Sequence, residues 1–352
     1  MSSLPVSAVD PALRRRRRIR ALVGAGMAAF FVWLVVRNVD AGEALHALRT
    51  ARIGPLLLCV PLLAADFVLR IVRWWCMLRK FEPTLPLRSC FGPFLGSYAV
   101  NNLLPMRAGD LVRVVAFRRR LRSPAMRLLG TLFIERLLDL YVLLALFFIG
   151  VSWLPADAFP AWFIRPVEWI TGLGLVALTS VTVLLNPIRR ALHSLVDASN
   201  ERGRTGIGHA VRRLDQAVET LSLFRSPATL LELVTLSLGA WILEGAVFAS
   251  VAWSLDLGVR PIGPWFATAA GTLATLIPST PGYVGTFEYF TILAITAYGA
   301  DRDAATVFAV LVHAAVWLPV TIAGGLFLLL PGGRSALEAA RVTSEPVRDA
   351  SR

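Results

Sequence analysis

The apolar segment at residues 128–151 contains three ionisable side chains, Glu135, Arg136 and Asp139. Glu135 and Asp139 are four residues apart and lie on one helix face, whereas Arg136 points about 100° away. An ionisable side chain at the centre of a membrane helix costs about 2.5–3.5 kcal/mol, and each large apolar residue offsets only about 0.3–0.6 kcal/mol. Two carboxylates on one face therefore need a cation on a facing element. A cluster of these charges could bind polar ligand atoms or carry protons. The candidate cations are Arg70, Arg107 and Arg113.

Other apolar segments carry further ionisable residues. Asp66 and Arg70 are four residues apart and can pair with each other, and Arg73 continues the same helix face. This arrangement fits either a structural ion pair or part of a site. Glu244 and Glu288 have no partner nearby in the sequence. Each is therefore either a cavity residue or a protonated hydrogen-bond donor between helices.

Two apolar stretches, residues 91–105 and 265–299, are interrupted by Pro, Gly and paired Asn residues. In each stretch a Pro precedes a Gly by four residues and a carboxylate follows, although chance similarity between two turns would give the same match. Such interruptions are typical of re-entrant hairpins, whose freed backbone groups line a protein cavity. The expected turn residues are Pro105, Gly109, Pro278, Pro281, Gly282 and Gly285. Asn101 and Asn102, at the first tip, could cap broken helix ends or bind a headgroup.

Of the 352 residues, 56% are hydrophobic and 17% are charged, a composition that excludes an ordinary soluble domain. The apolar blocks have the length of about 18–25 residues that crosses a bilayer. The predicted spans are residues 19–36, 54–75, 128–151, 163–185, 230–253 and 306–330. We therefore predict an all-α polytopic membrane protein with about six spanning helices and two re-entrant or broken hairpins in an inverted-repeat arrangement.

The net charge of +13 comes mainly from arginines in short loops beside the apolar blocks. This pattern favours anionic lipid headgroups over nucleic acid as partners, and it places the basic loops and both termini in the cytoplasm. We predict a multi-pass protein of the bacterial inner membrane. Its predicted parts are a basic N-terminal segment 1–18, a transmembrane domain 19–331 with an amphipathic cytoplasmic loop 186–227, and a polar cytoplasmic tail 332–352.

The motifs at residues 101–110, 133–139 and 278–288 resemble three signatures of one family, in the same order and spacing. That family is the lysylphosphatidylglycerol synthase transmembrane region, also called flippase-like proteins. The resemblance implies translocation of a polar-headgroup lipid, such as an aminoacyl-phospholipid, a glycolipid or a polyprenyl-linked sugar. The best-known member also carries an aminoacyl-transferase domain, which this sequence does not resemble anywhere. The resemblance therefore implies a stand-alone member that does not synthesise the lipid.

The leading hypothesis is a lipid translocase in which the two hairpins form a polar cavity near the bilayer midplane. Arg107 and Arg113 would bind the lipid phosphate, because a guanidinium group offers bidentate donors. The candidate substrate-binding residues are Asn101, Asn102, Arg107, Asp110, Arg113, Glu135, Arg136, Asp139 and Glu288, with Asp66, Arg70 and Glu244 as supporting residues.

Two alternatives stay open at this point. One is a membrane-embedded enzyme that modifies a lipid headgroup with Glu135, Arg136 and Asp139. The other is a non-transporting partner that recruits a separate lipid synthase or glycosyltransferase through the loop 186–227. The sequence shows no evident nucleophile, metal cluster or nucleotide motif, so we expect no catalytic residue, metal or cofactor. Small-residue runs in the first and last spans would permit a homo-oligomer.

Overall fold

The computed structural model describes residues 33, 41–104, 107–118, 120–154, 164–177, 180, 220, 226–277, 281–331 and 333–334. Within these ranges the regular structure is helical, and they contain no strand. The helices are α1 (Ala41–Thr50), α2 (Ile53–Arg79), α3 (Arg88–Leu103), α4 (Ala108–Ala116), α5 (Ala125–Ser152), α6 (Pro227–Ser254), α7 (Gly263–Ala274), α8 (Thr286–Thr296) and α9 (Arg302–Leu329). Residues 164–177 are also helical.

The long helices begin at recognisable signals in the sequence. Ser226 caps α6 by accepting a hydrogen bond from Thr229 N, and Pro227 occupies the first turn, where its missing N–H costs nothing. Asp301 caps α9 by accepting hydrogen bonds from the backbone N–H groups of its first turn. α5 begins directly after Pro124, whose extended backbone cannot continue a helix.

Among the described residues, three helices are long and apolar enough to cross a membrane: α2, α6 and α9. α5 has the same length of 28 residues as α6 and α9, but it carries Glu135, Arg136 and Asp139 in its middle. α2, α6 and α9 confirm the spans predicted at residues 54–75, 230–253 and 306–330, and α5 confirms a helix at residues 128–151. The chain is a polytopic helical membrane protein.

Other predicted parts of the chain fall partly or wholly outside the described residues. The predicted span 163–185 corresponds to the helical residues 164–177. The basic segment 1–18, nearly all of the first predicted span 19–36, most of the loop 186–227 and nearly all of the tail 332–352 lie outside the described ranges.

The first interrupted stretch is broken near its end, where the sequence predicted the turn. α3 is a continuous helix from Arg88 to Leu103, although it contains Pro93. Pro93 lies near the start of α3, where its ring conflicts only with the carbonyl of the first turn. The chain reverses after Leu104 and continues as α4, so α3 and α4 form the first hairpin. The second hairpin consists of α7, a 3₁₀ turn at Pro281–Tyr283, and α8.

The two hairpins enter the helix bundle from opposite ends. At the start of α2, Arg52 N donates to Ser254 O at 2.8 Å, beside the segment that leads into the second hairpin. At the other end of α2, Trp75 Nε1 donates to Leu85 O at 2.8 Å, beside the start of the first hairpin. α2 has 27 residues and is therefore about 40 Å long. The predicted inverted arrangement of the hairpins is therefore present in the fold.

α3 packs along α9 through small residues on both helices. A Cβ atom added at Gly324 of α9 would overlap the carbonyl oxygen of Leu95 and come within 2.8 Å of Ala99 Cβ in α3. The next residue, Gly325, has nothing within 4 Å of such an atom. The close approach of these two helices therefore depends on Gly324 and not on its neighbour.

We expect Gly324→Ala to destabilise the protein, whereas Gly325→Ala leaves it as stable as the parent or more so. Alanine favours a helix over glycine by about 1 kcal/mol at either position, but at Gly324 the added methyl group forces α3 and α9 apart, at a cost of about 1–3 kcal/mol. Thermal unfolding of both variants in detergent measures the difference. Equal unfolding temperatures for the two variants would contradict this packing.

Candidate functional site

A cavity of about 300 Å³ lies between the hairpin tips and the four long helices. Each long helix contributes residues from its middle third, so the cavity lies near half depth in the bundle. Its polar and charged lining residues are Arg70, Tyr98, Asn101, Asn102, Arg107, Arg136, Asp139, Trp241, Glu244, Thr272, Thr275, Tyr283, His313 and Trp317. Charged side chains at this depth are costly unless they are paired, so each of them is expected to contact an opposite charge.

The two hairpin tips meet at one side of the cavity. Arg107 NH2 donates to Thr275 Oγ1 at 3.4 Å, which joins the first tip to the second. Both tips contain a non-glycine residue with positive φ, 52° at Arg107 and 60° at Tyr283. Such backbone costs about 1–3 kcal/mol and is kept where the surroundings enforce it, often at functional sites. Gly282 beside it has a φ of 72°.

A group of five residues, here called the central ion cluster, joins α2, α5 and α6. Its members are Asp66, Arg70, Arg73, Asp139 and Glu244. Arg70 Nε donates to Asp66 Oδ1 at 2.7 Å and Arg70 NH2 donates to Glu244 Oε2 at 2.5 Å. Arg73 NH1 donates to Asp139 Oδ1, also at 2.7 Å. The predicted pair of Asp66 and Arg70 is therefore one part of a larger network between three helices.

A second group, the hairpin ion cluster, ties the first hairpin to α5. Its members are Asp110, Arg113, Glu135 and Arg136. Arg113 NH2 lies 3.1 Å from Glu135 Oε1, and both side chains are 0% exposed. Arg136 NH2 lies 3.3 Å from Asp110 Oδ2, and Asn101 Nδ2 donates to Asp110 Oδ1 at 3.0 Å. This cluster has two carboxylates for two guanidinium groups, so its charges balance.

Glu288 in the second hairpin stabilises the start of α8 and contacts α9. Its Oε2 atom accepts a hydrogen bond from Gly285 N at 2.7 Å, which caps the helix. Its Oε1 atom lies 2.5 Å from His313 Nδ1. Glu288 is buried and does not line the cavity, whereas His313 does. The histidine therefore lies between Glu288 and the cavity.

The structure separates the predicted site residues into two layers. At the cavity wall lie Arg70, Asn101, Asn102, Arg107, Arg136, Asp139, Glu244 and Gly282. Behind the wall lie Asp66, Asp110, Arg113, Glu135 and Glu288. Pro105 and Pro278 lie outside the described residues, and Pro281 begins the 3₁₀ turn. Gly109 is buried against Ser97 O of α3, where a Cβ atom would overlap.

Arg113, which the sequence analysis assigned to the lipid phosphate, does not line this cavity. Its guanidinium group is fully buried, binds Glu135, and stacks at 4.7 Å from the ring centres of both Trp74 and Phe94. Arg107 is different because it lines the cavity and forms no salt bridge with any described residue. It is therefore the arginine available to an anionic group.

Sequence reasoning missed several residues of the wall. Trp241 stacks on Arg70 at 4.3 Å and donates from Nε1 to Asp139 Oδ1 at 3.2 Å. Trp317 lines the cavity, and its buried Nε1 atom has no hydrogen-bond partner among the described residues. Trp241 lies three residues before Glu244 on one helix face, and that spacing could have identified Trp241 as a wall residue. Similarly, Trp317 lies four residues after His313 in the last span.

The described residues contain no group of three or more His, Cys, Asp or Glu side chains that could hold a metal ion. Arg107 and Trp317 Nε1 can donate hydrogen bonds, and Asp139 Oδ2 and Asn101 Oδ1 are buried acceptors that receive no hydrogen bond from the described residues. Polar donors and acceptors around one space can bind a polar group by hydrogen bonds and charge. This arrangement makes the cavity a candidate binding site inside a helical bundle.

This fold and this site define a class of protein: helical membrane proteins with a polar cavity between two opposed hairpins. Residues 20–324 match the family described as the lysylphosphatidylglycerol synthase TM region. The chain belongs to that family, as its three motifs predicted.

Two relatives show how far the similarity extends. UPF0104 membrane protein MJ1078 of Methanocaldococcus jannaschii is 25% identical over 213 residues, which cover 60% of this chain and 85% of the relative. Glycosyltransferase AglD of Haloferax volcanii is 24% identical over 369 aligned positions, which cover 96% of this chain and 58% of the relative. The chain thus spans little more than half the length of the second relative.

We expect Glu135→Gln to destabilise the protein by about 3 kcal/mol. Removing one partner of a buried ion pair leaves an uncompensated charge, and breaking such pairs costs about 3–5 kcal/mol. The lower value applies because Asp110 Oδ1 stays 3.8 Å from Arg113 NH2. Thermal unfolding in detergent checks the effect.

The matched control is Asp256→Asn, which breaks an exposed pair with Arg52, 3.1 Å apart, and is expected to cost about 0–1 kcal/mol. If Glu135→Gln proved no more destabilising than Asp256→Asn, the hairpin ion cluster would not stabilise the fold.

Proposed function

We propose that this protein moves a polar-headgroup lipid between the two leaflets of a membrane. The observation that carries the proposal is the position of the cavity: polar and charged, at the middle of the four long helices, and between the tips of hairpins that enter from opposite ends. A polar cavity at half depth lowers the cost of bringing a headgroup through hydrocarbon. This is the arrangement from which transporters with inverted repeats build a midplane site.

The size and surroundings of the cavity fit a headgroup and not a whole lipid. Its volume of about 300 Å³ is at the lower end of the range for ligand pockets, about 300–1,000 Å³. Leu276, which lines the cavity at the second tip, is 58% exposed. Near Leu276 the cavity therefore reaches the outer surface of the bundle. The headgroup would enter there while the apolar tails stay outside in hydrocarbon.

Arg107 is the residue that we assign to the lipid phosphate. It lines the cavity, forms no salt bridge with a described residue, and makes a single hydrogen bond of 3.4 Å to Thr275. A bond of that length is weak, so a phosphate oxygen could replace Thr275 at little cost. That exchange would also remove the hydrogen bond between the two hairpin tips, so phosphate binding would loosen their contact.

The distribution of basic residues supports an orientation with the open end of the first hairpin in the cytoplasm. Exposed basic side chains at that end include Arg79, Lys80, Arg88, Arg118, Arg120 and Arg122. The opposite end carries Asp256, Asp301 and Asp303 beside a few arginines. Cytoplasmic loops of membrane proteins have an excess of Lys and Arg. The proposed location is the bacterial inner membrane.

A second candidate is a membrane partner of a glycosyltransferase. The similarity to Glycosyltransferase AglD, which covers 96% of this chain and 58% of that relative, favours it. In that case the chain would hold or receive a lipid-linked sugar for an enzyme and move nothing by itself. Translocation by the purified chain alone distinguishes the two functions, because only the translocase needs no partner.

The experiment measures the leaflet distribution of fluorescent phospholipid and of lipid-linked sugar in proteoliposomes that contain this chain alone. Exposure of the headgroup to a membrane-impermeant quencher gives the rate of translocation. We expect Arg107→Gln to slow this rate about 10- to 100-fold, because a hydrogen bond to a charged group contributes about 1.5–3 kcal/mol. Arg107→Lys, which keeps the charge without the bidentate geometry, should slow it less.

Arg52→Gln is the matched control, since it removes an arginine with a 55% exposed side chain outside the cavity. It should leave the rate unchanged. If the unaltered chain translocates neither lipid, the partner function replaces the translocase. If Arg107→Gln behaves like Arg52→Gln while the parent is active, the assignment of the phosphate contact to Arg107 is wrong.

A further inference from the structure

The central ion cluster contains more negative than positive groups. Three carboxylates, Asp66, Asp139 and Glu244, surround two guanidinium groups, Arg70 and Arg73. The neighbouring hairpin ion cluster cannot supply the missing positive charge, since its own two guanidinium groups already face two carboxylates. With every carboxyl group ionised, the central ion cluster would therefore hold one uncompensated negative charge at the middle of the membrane.

The groups around the cluster do not remove this imbalance. Arg136 NH1 comes within 3.7 Å of Asp139 Oδ2, but it also binds Asp110. Tyr98 from α3 is neutral in its ordinary form. Arg107 at the tip and His313 on α9 line the same cavity, and neither forms a salt bridge with a carboxylate of the cluster among the described residues. The surplus charge thus belongs to the cluster.

A proton is the cation that fits this place. A metal ion such as Ca²⁺ or Mg²⁺ needs about six oxygen ligands, and each carboxyl group here already has one oxygen on a guanidinium group. A proton needs a single free oxygen. Asp66 Oδ2 is buried without a hydrogen-bond partner, and Asp66 is 0% exposed. This unpartnered oxygen indicates a position that a proton can occupy.

Among the three carboxyl groups, Asp139 is the one held ionised. Arg73 NH1 lies 2.7 Å from Asp139 Oδ1, and Arg70 NH1 lies 3.9 Å from the same atom. Asp66 and Glu244 instead share the single guanidinium group of Arg70. Glu244 lines the cavity with an 11% exposed side chain, whereas Asp66 lies behind Arg70. A proton from the cavity therefore meets Glu244 first.

We infer that Glu244 and Asp66, on the two sides of Arg70, hold one exchangeable proton that enters through the cavity at Glu244. Loss of this proton adds one negative charge to the cavity wall and repels an anionic headgroup. Binding of an anionic headgroup therefore favours the protonated site, and by linkage the proton favours headgroup binding. This inference rests on the proposed function. If the protein moves the lipid, the linkage makes lipid and proton move together in the same direction.

Infrared spectroscopy tests the site itself without any transport assay. The purified chain in lipid nanodiscs at neutral pH should show the carbonyl stretch of one protonated carboxyl group, shifted when H₂O is exchanged for D₂O. Glu244→Gln and Asp66→Asn should each abolish this band, because either change removes the surplus negative charge and leaves the cluster balanced. Asp256→Asn, which alters an exposed carboxyl group, should retain it.

Absence of the band in the unaltered chain would overturn the inference. So would its persistence in both Glu244→Gln and Asp66→Asn, since the proton would then belong to another group. Because the cluster is buried, folding of each variant is checked by its unfolding temperature. If one of the two variants does not fold, the band in the other decides the question.

Transport tests the coupling. With a pH difference of one unit across proteoliposomes, one proton per lipid changes the steady-state ratio of an anionic phospholipid between leaflets about tenfold. In Glu244→Gln the leaflet ratio measured with the pH gradient should equal the ratio measured without it. A ratio in the unaltered chain that ignores the gradient would overturn the coupling. A chain that moves no lipid at all would instead refute the proposed function, and the infrared band would still decide whether the proton site exists.

Discussion

The low dielectric constant of the bilayer interior forces each buried charge of this protein to find an opposite charge, and the helix arrangement follows from that constraint. Arg70 and Arg73 of α2 reach carboxylates on α5 and α6. Arg113 of the first hairpin reaches Glu135 of α5. Removing one partner of such a pair costs several kcal/mol, so each pair fixes the position of one helix relative to another. The cavity is the space left between elements held in this way.

The hairpins contribute what the ion pairs cannot, which is a point of contact that can open. At the first tip, Asn102 Nδ2 donates to Thr321 Oγ1 of α9 at 2.7 Å and Arg107 donates to Thr275 at 3.4 Å. The first tip and the turn of the second hairpin also carry positive φ angles at Arg107 and Tyr283. Buried ion pairs thus hold the helices behind the wall, whereas the hydrogen bond between the two tips, from Arg107 to Thr275, is long.

The sequence predicted the long helices well, because apolar blocks of spanning length and their Pro, Ser and Asp boundaries are local signals. It also indicated that Glu135 needed a cation and included Arg113 among the candidates. It could not predict that Arg73 binds Asp139 or that Glu288 contacts His313, because these contacts join distant segments of the chain and depend on helix rotation. The break in the first hairpin lies between Leu103 and Ala108, next to the predicted turn residue Gly109, while Pro93 near the start of α3 does not interrupt the helix.

The most direct test of the central claim is photolabelling in membranes with two forms of one phospholipid, carrying the reactive group on the headgroup or at the end of an acyl chain. Trp241 and Trp317 line the cavity, while Ile242 and Leu318 lie at the same depth and are 53% and 46% exposed. We expect the headgroup probe to label Trp241 and Trp317, and the acyl-chain probe to label Ile242 and Leu318. Labelling by the headgroup probe at the helix ends alone, with the cavity residues unmodified, would contradict passage of a headgroup through this cavity.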